Sequence, residues 1–457
     1  MAHSMNCFWK FAMHTISGPR SMAVISFLIL LNVCDLSCGQ TIDTGWPSWR
    51  GPRGDGSWNA PRIADSWSKQ GLPVDWTVEI GGGYAGVSVA GHRVITMDRQ
   101  VIEDTDRAAD SDETTRPGEE LERVLCFDLQ TGKERWTFDY EQPYGDLDYG
   151  NGPRAAPTIH GDTVLTLGAL GKLNCLKVAD GSVIWSHDLI KEFEGRPPVW
   201  GYAASPLVYQ DTVVVFAGGD DGFCLVAFDL KTGQLKWHSL SDKAGYSWPV
   251  PVRRNGRTQL VCWTPSHIRG TDAADGRPLW NVPYEVAEGV SIATPIVHED
   301  IALVCGYWAG SRAIKLGQNP TDAKLLWEEN RYLRGLMSQP LCRNGYGYLL
   351  DKQYGLTCFE LRNGKKLWDD KNSLTPRGRN PQASIVWLNE EGRTDRNRII
   401  ALNAEGELVL ATITPNGFAE HARTTIIDPT WSHPAFVGHR VLARSDTRLV
   451  CVQLPTE

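Results

Sequence analysis

The chain has 457 residues and a formal net charge of −8. That balance excludes the basic surface needed to neutralise nucleic-acid phosphates or to hold an anionic membrane. An apolar content of 42% likewise excludes a disordered chain.

The N-terminus carries Lys10 and Arg20, then an apolar run over 22–33, then Ser37-Cys38-Gly39. A basic region, a short apolar core and a small-residue exit predict a secretory signal peptide over 1–39. The run is too short to reside in a bilayer as a helix. The mature chain then begins at Gln40, holds no further segment able to cross a membrane, and is placed in the periplasm or outside the cell. Acylation at Cys34 or Cys38 is the less favoured alternative, because Val33 precedes Cys34 and Asp35 stands where a leucine belongs before Cys38. Residues 40–73 are read as a segment leading into the domain, and 74–457 as the domain itself.

The first strand signal is VDWTV over 74–78. Next, GGGYAG at 81–86 formally fits a dinucleotide-binding fingerprint, but two strands and a turn follow it where a helix is required. It is read as a loop feeding a strand. Residues 103–122 hold nine acidic residues against two arginines and break the repeat described next. Asp104, Asp106, Asp110 and Asp112 lack the EF-hand spacing, so the run is read as a solvated, mobile insertion.

A repeat organises the remainder. VLCFDLQTGKERW ends at Trp136, LVAFDLKTGQLKW at Trp237, NCLKVADGSVIW at Trp185, TDAADGRPLW at Trp280 and TCFELRNGKKLW at Trp368, while Trp327 closes a less regular copy. The tryptophans recur at roughly forty to sixty residues, the spacing of propeller blades. Thr-Gly, Asp-Gly and Asn-Gly are tight-turn signals, since glycine accepts positive φ without steric cost. The flanking runs are short, apolar and alternating, as in strands. Each Trp, with Trp76 in VDWTV, ends an outer strand where a flat ring can cover the seam to the next blade. Upstream lie further strand pairs such as APTIHGDTVLTL (156–167) and SPLVYQDTVVVF (205–216), where Pro opens the inner strand at no cost to the ladder.

Inner strands begin near Tyr84, Ala155, Ala203, Trp248, Ile292, Met337, Pro381 and His433. The last unit has three strands, whereas 74–78 is surplus at the other end. The fold class follows: all-β, an eight-bladed β-propeller of four-stranded antiparallel sheets, in which the N-terminal strand completes the last blade and hides both sheet edges. Eight cysteines remain after cleavage. Cys126, Cys175, Cys358 and Cys451 share one point of the repeat, so they face equivalent surroundings rather than each other and are read as small buried thiols.

The Asp-x-x-Thr-Gly-x-x-x-Trp pattern resembles the tryptophan-docking motif of pyrroloquinoline quinone (PQQ) dehydrogenase propellers and the repeat of the BamB family. WPSWRGPRGDG at 46–56 is similar to the start of many secreted bacterial PQQ-binding-like repeat proteins. The resemblance implies the architecture and assigns Trp76, Trp136, Trp185, Trp237, Trp280, Trp327 and Trp368 to blade docking. PQQ dehydrogenases also clasp their cofactor with adjacent cysteines and hold calcium with Glu, Asn and Asp. This sequence has no Cys-Cys pair and no matching acidic motif, so no cofactor or metal is assigned.

In a propeller, loops running from one outer strand to the next inner strand converge around the axis. Here they place Tyr149, Arg154, Trp200, Tyr202, Trp248, Arg334, Gln339, Arg379, Trp431 and His433 at one mouth, as a candidate ligand or partner site. The same side chains could instead plug the channel, and His433, before Pro434, is read as structural. Three functions stay open. The first is an exported, monomeric, non-enzymatic module that binds or scaffolds a protein or glycan partner. The second is an oxidoreductase holding PQQ and calcium in an atypical pocket. The third is a polysaccharide-binding propeller.

Overall fold

A computed structural model describes residues 41–102, 119–145 and 147–457. The leader expected over 1–39 with Cys34 and Cys38, the aspartates of 104–112, and the loop residue Asp146 lie outside the described residues. Eight antiparallel sheets follow one another along the chain. Their inner strands are Ser88–Ala90, Thr158–His160, Leu207–Tyr209, Val250–Arg254, Ile296–His298, Leu341–Arg343, Ala383–Glu390 and Ala435–Val437. The inner strand of the last blade lies against that of the first, so the ring is closed. Second strands such as Thr212–Phe216 and Ile301–Gly306 are buried throughout, and their apolar runs pack against both neighbouring blades.

The repeat turn has a clear local cause. Asp128 Oδ1 accepts hydrogen bonds from the Thr131 backbone N–H (3.0 Å) and hydroxyl (2.9 Å), and Asp229 does the same with Thr232 (2.9 and 2.9 Å). Glycine then follows at φ 68° in Gly132 and φ 72° in Gly233. A Cβ on Gly132 would lie 2.7 Å from the ring of Trp76, and one on Gly233 2.8 Å from that of Trp185. Turn geometry and ring packing therefore both demand glycine.

Each ring crosses a seam from a bulged outer strand. Directly opposite Trp76, Trp136, Trp185 and Trp368 stand Cys451, Cys126, Cys175 and Cys358, while Trp237, Trp280 and Trp327 face Ala227, Gly270 and Ala313. A small residue at that position leaves room for the indole, and all eight described cysteines are free. Trp76 Nε1 donates to the Leu129 carbonyl of the next blade (2.9 Å). Trp136, Trp185, Trp327 and Trp368 reach Val178, Leu230, Leu361 and Thr414 in the same way (2.8–2.9 Å). Trp280 departs from the pattern: its Nε1 goes to Gln259 Oε1 of its own blade at 2.6 Å. The recipient turn in the next blade, GQNPTD at 317–322, lacks the Thr-Gly seat.

The surplus strand closes the ring. Val74–Glu79 pairs antiparallel with Arg448–Gln453, with Trp76 opposite Cys451, and completes the eighth blade. Asp75 fastens this joint through Arg440 Nε at 2.6 Å.

Two expectations need correction. The seventh blade has five strands, because Ser57–Ala60 adds in parallel to the axial edge of Ala383–Glu390. Upstream of it, Trp46 bridges Val89 of blade 1, the Pro47 carbonyl accepts the Ile159 N–H of blade 2 (2.7 Å), and Trp49 Nε1 donates to Thr294 Oγ1 of blade 5 (2.9 Å). A segment that touches blades 1, 2, 5 and 7 must run through the axis. Residues 46–60 therefore cross the channel, with Trp58 wholly buried. The second correction concerns 119–122, which are not solvated insertion. They open the strand Glu119–Asp128, and Glu122 is fully buried. The Tyr140 and Tyr144 hydroxyls and the Ala169 N–H (3.1 Å) donate to its carboxylate, while burial holds its pKa above the usual range. These donors satisfy a charge that composition alone places in water.

Candidate functional site

Above the axial segment opens a cavity of about 450 Å³. Tyr149, Arg154, Trp200, Trp248, Gln339, Arg379, Trp431 and His433 line it. Two other candidates do not. Tyr202 is buried beneath the loop, its hydroxyl donating to the Ala217 carbonyl at 2.6 Å. Arg334 is turned onto Asp351, with Nε at 3.2 Å and Nη2 at 3.3 Å from the carboxylate. A nearby acceptor captured each of them: a carbonyl just past the strand Thr212–Phe216 in one case, a buried carboxylate seventeen residues on in the other.

The wall is an arc of aromatic rings. Tyr84 stacks near Trp431 (centroids 6.0 Å), Trp431 meets Tyr149 (5.7 Å), Tyr149 meets Trp200 edge-on (6.0 Å), and Trp200 tilts against Tyr246 (5.6 Å). Arg154 lies over the Tyr84 ring at 5.4 Å, its fork held by the Gly150 and Gly152 carbonyls, so its plane is fixed. On the far side Tyr307 donates to the Arg379 carbonyl (2.8 Å), and beside it Trp308 is 48% exposed. This Tyr-Trp doublet escaped the sequence reading because it comes from a hairpin within blade 5, not from a loop between blades. Two adjacent aromatics where a turn calls for small polar residues were the available signal.

The floor comes from the axial segment. The rings of Trp49 and His433 meet edge-on at 4.3 Å, and Gln339 Oε1 accepts the Thr294 N–H at 2.6 Å beside the Trp49 contact. His433 Nδ1 shares a 2.9 Å hydrogen bond with Ser384 Oγ. Burial, with Arg50 near, lowers the imidazole pKa to about 3, so the ring is neutral at ordinary pH. Burial raises the Tyr246 phenol to about 12. The Trp200 and Trp248 indole N–H groups are buried at this site and have no partner among the described residues.

The donor set was also compared with a quinone and its divalent cation. The carboxylates lining the mouth, Asp148 and Glu288, come from different blades. Among the described residues no three His, Cys, Asp or Glu side chains gather closely enough to share a cation. The residues do not fit that group, and no chemical step is derived through it.

A family model described as outer membrane protein assembly factor BamB matches residues 120–305 and 247–456. The chain belongs to this family. Within it, the outer membrane protein assembly factor BamB of Burkholderia pseudomallei (strain K96243) is 30% identical over 118 residues, 25% of this chain and 27% of that protein. The aligned part thus spans about a quarter of the relative's length. The crystal structure of BamB from Moraxella catarrhalis superposes with a TM-score of 0.54 at 15% identity, covering 85% of this chain and 99% of that one. Quinohemoprotein alcohol dehydrogenase from Comamonas testosteroni gives 0.62 at 13% identity, with 92% and 82% covered. At such identities the likeness is one of fold, and the same propeller serves an assembly factor and a dehydrogenase. No helix among the described residues is long and apolar enough to cross a membrane.

Proposed function

We propose that this protein is an exported, monomeric, non-enzymatic binding module that takes a segment of a protein partner into the aromatic mouth. The reading rests on one observation: five rings from Tyr84 to Tyr246 form a continuous wall. Rigid aromatics lose little conformational entropy on contact and supply most of the energy at protein interfaces. The name of the family's relatives, outer membrane protein assembly factor, supports a protein as the partner. The leader read over 1–39 supports a site of action outside the cytoplasm. The seam tryptophans are proposed to dock blade on blade and to hold the mouth rigid.

The test is quenching of mouth tryptophan fluorescence by a panel of aromatic-containing peptides, with an oligosaccharide panel alongside. Saturable peptide binding that falls at least tenfold in Trp431→Ala and Tyr149→Ala is the expected result. Binding of saccharides alone would move the reading to the polysaccharide propeller. Tight uptake of PQQ with calcium and dye-linked alcohol oxidation would overturn the non-enzymatic assignment.

A further inference from the structure

The axial segment divides the channel, and beyond it lies a second, larger cavity of about 840 Å³. Its walls are the far ends of the inner strands of blades 4 to 7, with residues 50–57 of the axial segment as roof. Its chemistry differs from that of the mouth. Five arginines line it (50, 53, 253, 343 and 396) against three carboxylates (55, 299 and 395).

The carboxylates are already engaged. Asp55 Oδ1 accepts the Ser57 N–H (2.9 Å) and hydroxyl (2.7 Å) and lies 3.9 Å from Arg53; Glu299 pairs with Arg362 at 3.8 Å; Asp395 Oδ1 accepts the Asn397 N–H at 3.0 Å. Most of the arginines are not. Arg53 is bound to Asp43 by both arms (3.0 and 2.7 Å), but Arg50, Arg253, Arg343 and Arg396 have no ion-pair partner among the described residues. Arg343 Cζ lies over the Trp387 ring, 4.0 Å from its centroid, and Nη2 donates to Asn389 Oδ1 at 2.9 Å, leaving Nη1 without a partner. Arg50 gives Nη2 to the Asp55 carbonyl at 2.8 Å and likewise leaves Nη1 unmet. Burial lowers the pKa of both guanidiniums to about 10, and for Arg343 the neighbouring Arg396 charge acts in the same direction. Asp55 acts on both guanidiniums, and Asp395 on Arg343, in the opposite direction, but neither carboxylate pairs directly with them. Guanidiniums drawn together at one cavity without a direct partner are costly unless an anion joins them. A planar fork held on an aromatic face is suited to carboxylate or phosphate.

We infer that this chamber is a second binding site, for a small polyanion whose phosphate or carboxylate groups are held by Arg343 and Arg396 with Arg50 above. Its volume exceeds what a single inorganic anion needs and matches a ligand of drug size. The axial segment lies between this chamber and the mouth, and of their lining residues the two share Trp248 alone.

The experiment titrates the mature full-length protein with pyrophosphate and with citrate by calorimetry at low ionic strength. Arg396→Gln alters an exposed side chain, and Arg343→Met keeps the stem on Trp387 while removing the fork. Saturable binding of either anion, weakened at least tenfold by each substitution and unchanged by Trp431→Ala, is expected. Binding of pyrophosphate alone assigns a phosphorylated ligand, and of citrate alone a carboxylated one. The inference is overturned if neither anion saturates, or if Arg396→Gln costs no more than Arg448→Gln, which removes an exposed arginine paired with Asp428 away from the chamber. Since Arg396→Gln leaves the buried structure intact, the result stands even where Arg343→Met fails to fold. Peptide quenching at the mouth reports separately on the proposed function.

Discussion

Replacing Glu390 by leucine should release the axial segment. Glu390 and Arg398 are 3% and 2% exposed, and Arg398 Nη1 lies 2.5 and 2.6 Å from the two carboxylate oxygens. Between them they clasp the backbone of one residue of the N-terminal segment, Ile63. The Ile63 N–H donates to Glu390 Oε1 at 2.8 Å, and the Ile63 carbonyl accepts both Arg398 Nη groups at 3.2 Å. Removing one member of a buried pair leaves a charge without compensation, at about 3–5 kcal/mol. For Glu390→Leu the lower end applies, because Asp65, itself exposed, still reaches Arg398 Nη2 at 2.7 Å. Arg398→Met should cost a similar amount, since Glu390 keeps only Arg393 at 3.3 Å and the Ile63 N–H. The double substitution strands no charge, so its cost should be about that of either single change, giving a coupling of roughly 3 kcal/mol. Urea unfolding of the four proteins measures it. Hydrogen exchange at Trp58, paired with blade 7 in the native protein, should accelerate in the single variants. Additivity within about 0.5 kcal/mol, or a single variant costing under about 1 kcal/mol, would refute the clasp.

Further outcomes follow from the same geometry. Trp76→Ala should cost about 4 kcal/mol in urea unfolding, from the lost buried indole and the stranded Leu129 carbonyl; Trp308→Ala, at an exposed position, should stay within about 0.5 kcal/mol. Gly233→Ala, at positive φ and against the Trp185 ring, should lower the melting midpoint far more than Gly256→Ala, which has positive φ and open space around it. His433 is neutral when folded, whereas its unfolded counterpart takes a proton below about pH 6.5, so its contribution is present above that pH and lost as pH falls toward about 3. The folding constant should lose up to roughly tenfold per pH unit in that window, and His433→Gln should remove that slope from stability measured between pH 4 and 7.

Some of this molecule was legible in the residues. The Asp-x-x-Thr-Gly turn is a local device, built from a carboxylate and the donors two and three residues on, so its recurrence marked the blades without reference to anything distant. The surplus strand at 74–78 and the three-strand unit at the C-terminus, one strand short of a blade, likewise named each other, because an unpaired edge needs a partner. The loop positions pointed to the mouth, since propeller geometry brings every such loop to one end. Tyr202 and Arg334 went astray because a side chain follows its nearest acceptor, and the Ala217 carbonyl and Asp351 were not visible as neighbours.

The number of blades, their order and the joint that closes them were thus determined by the chain itself, through short-range turn chemistry and the pairing of edges. Three features were decided only by the tertiary structure: the path of residues 46–60 down the axis, the burial of Glu122 among tyrosines, and the convergence of arginines from separate blades and the axial segment on one chamber. The contacts that fix the axial path and the chamber span up to about 330 positions of sequence and form no motif. Ring closure alone brings them within reach.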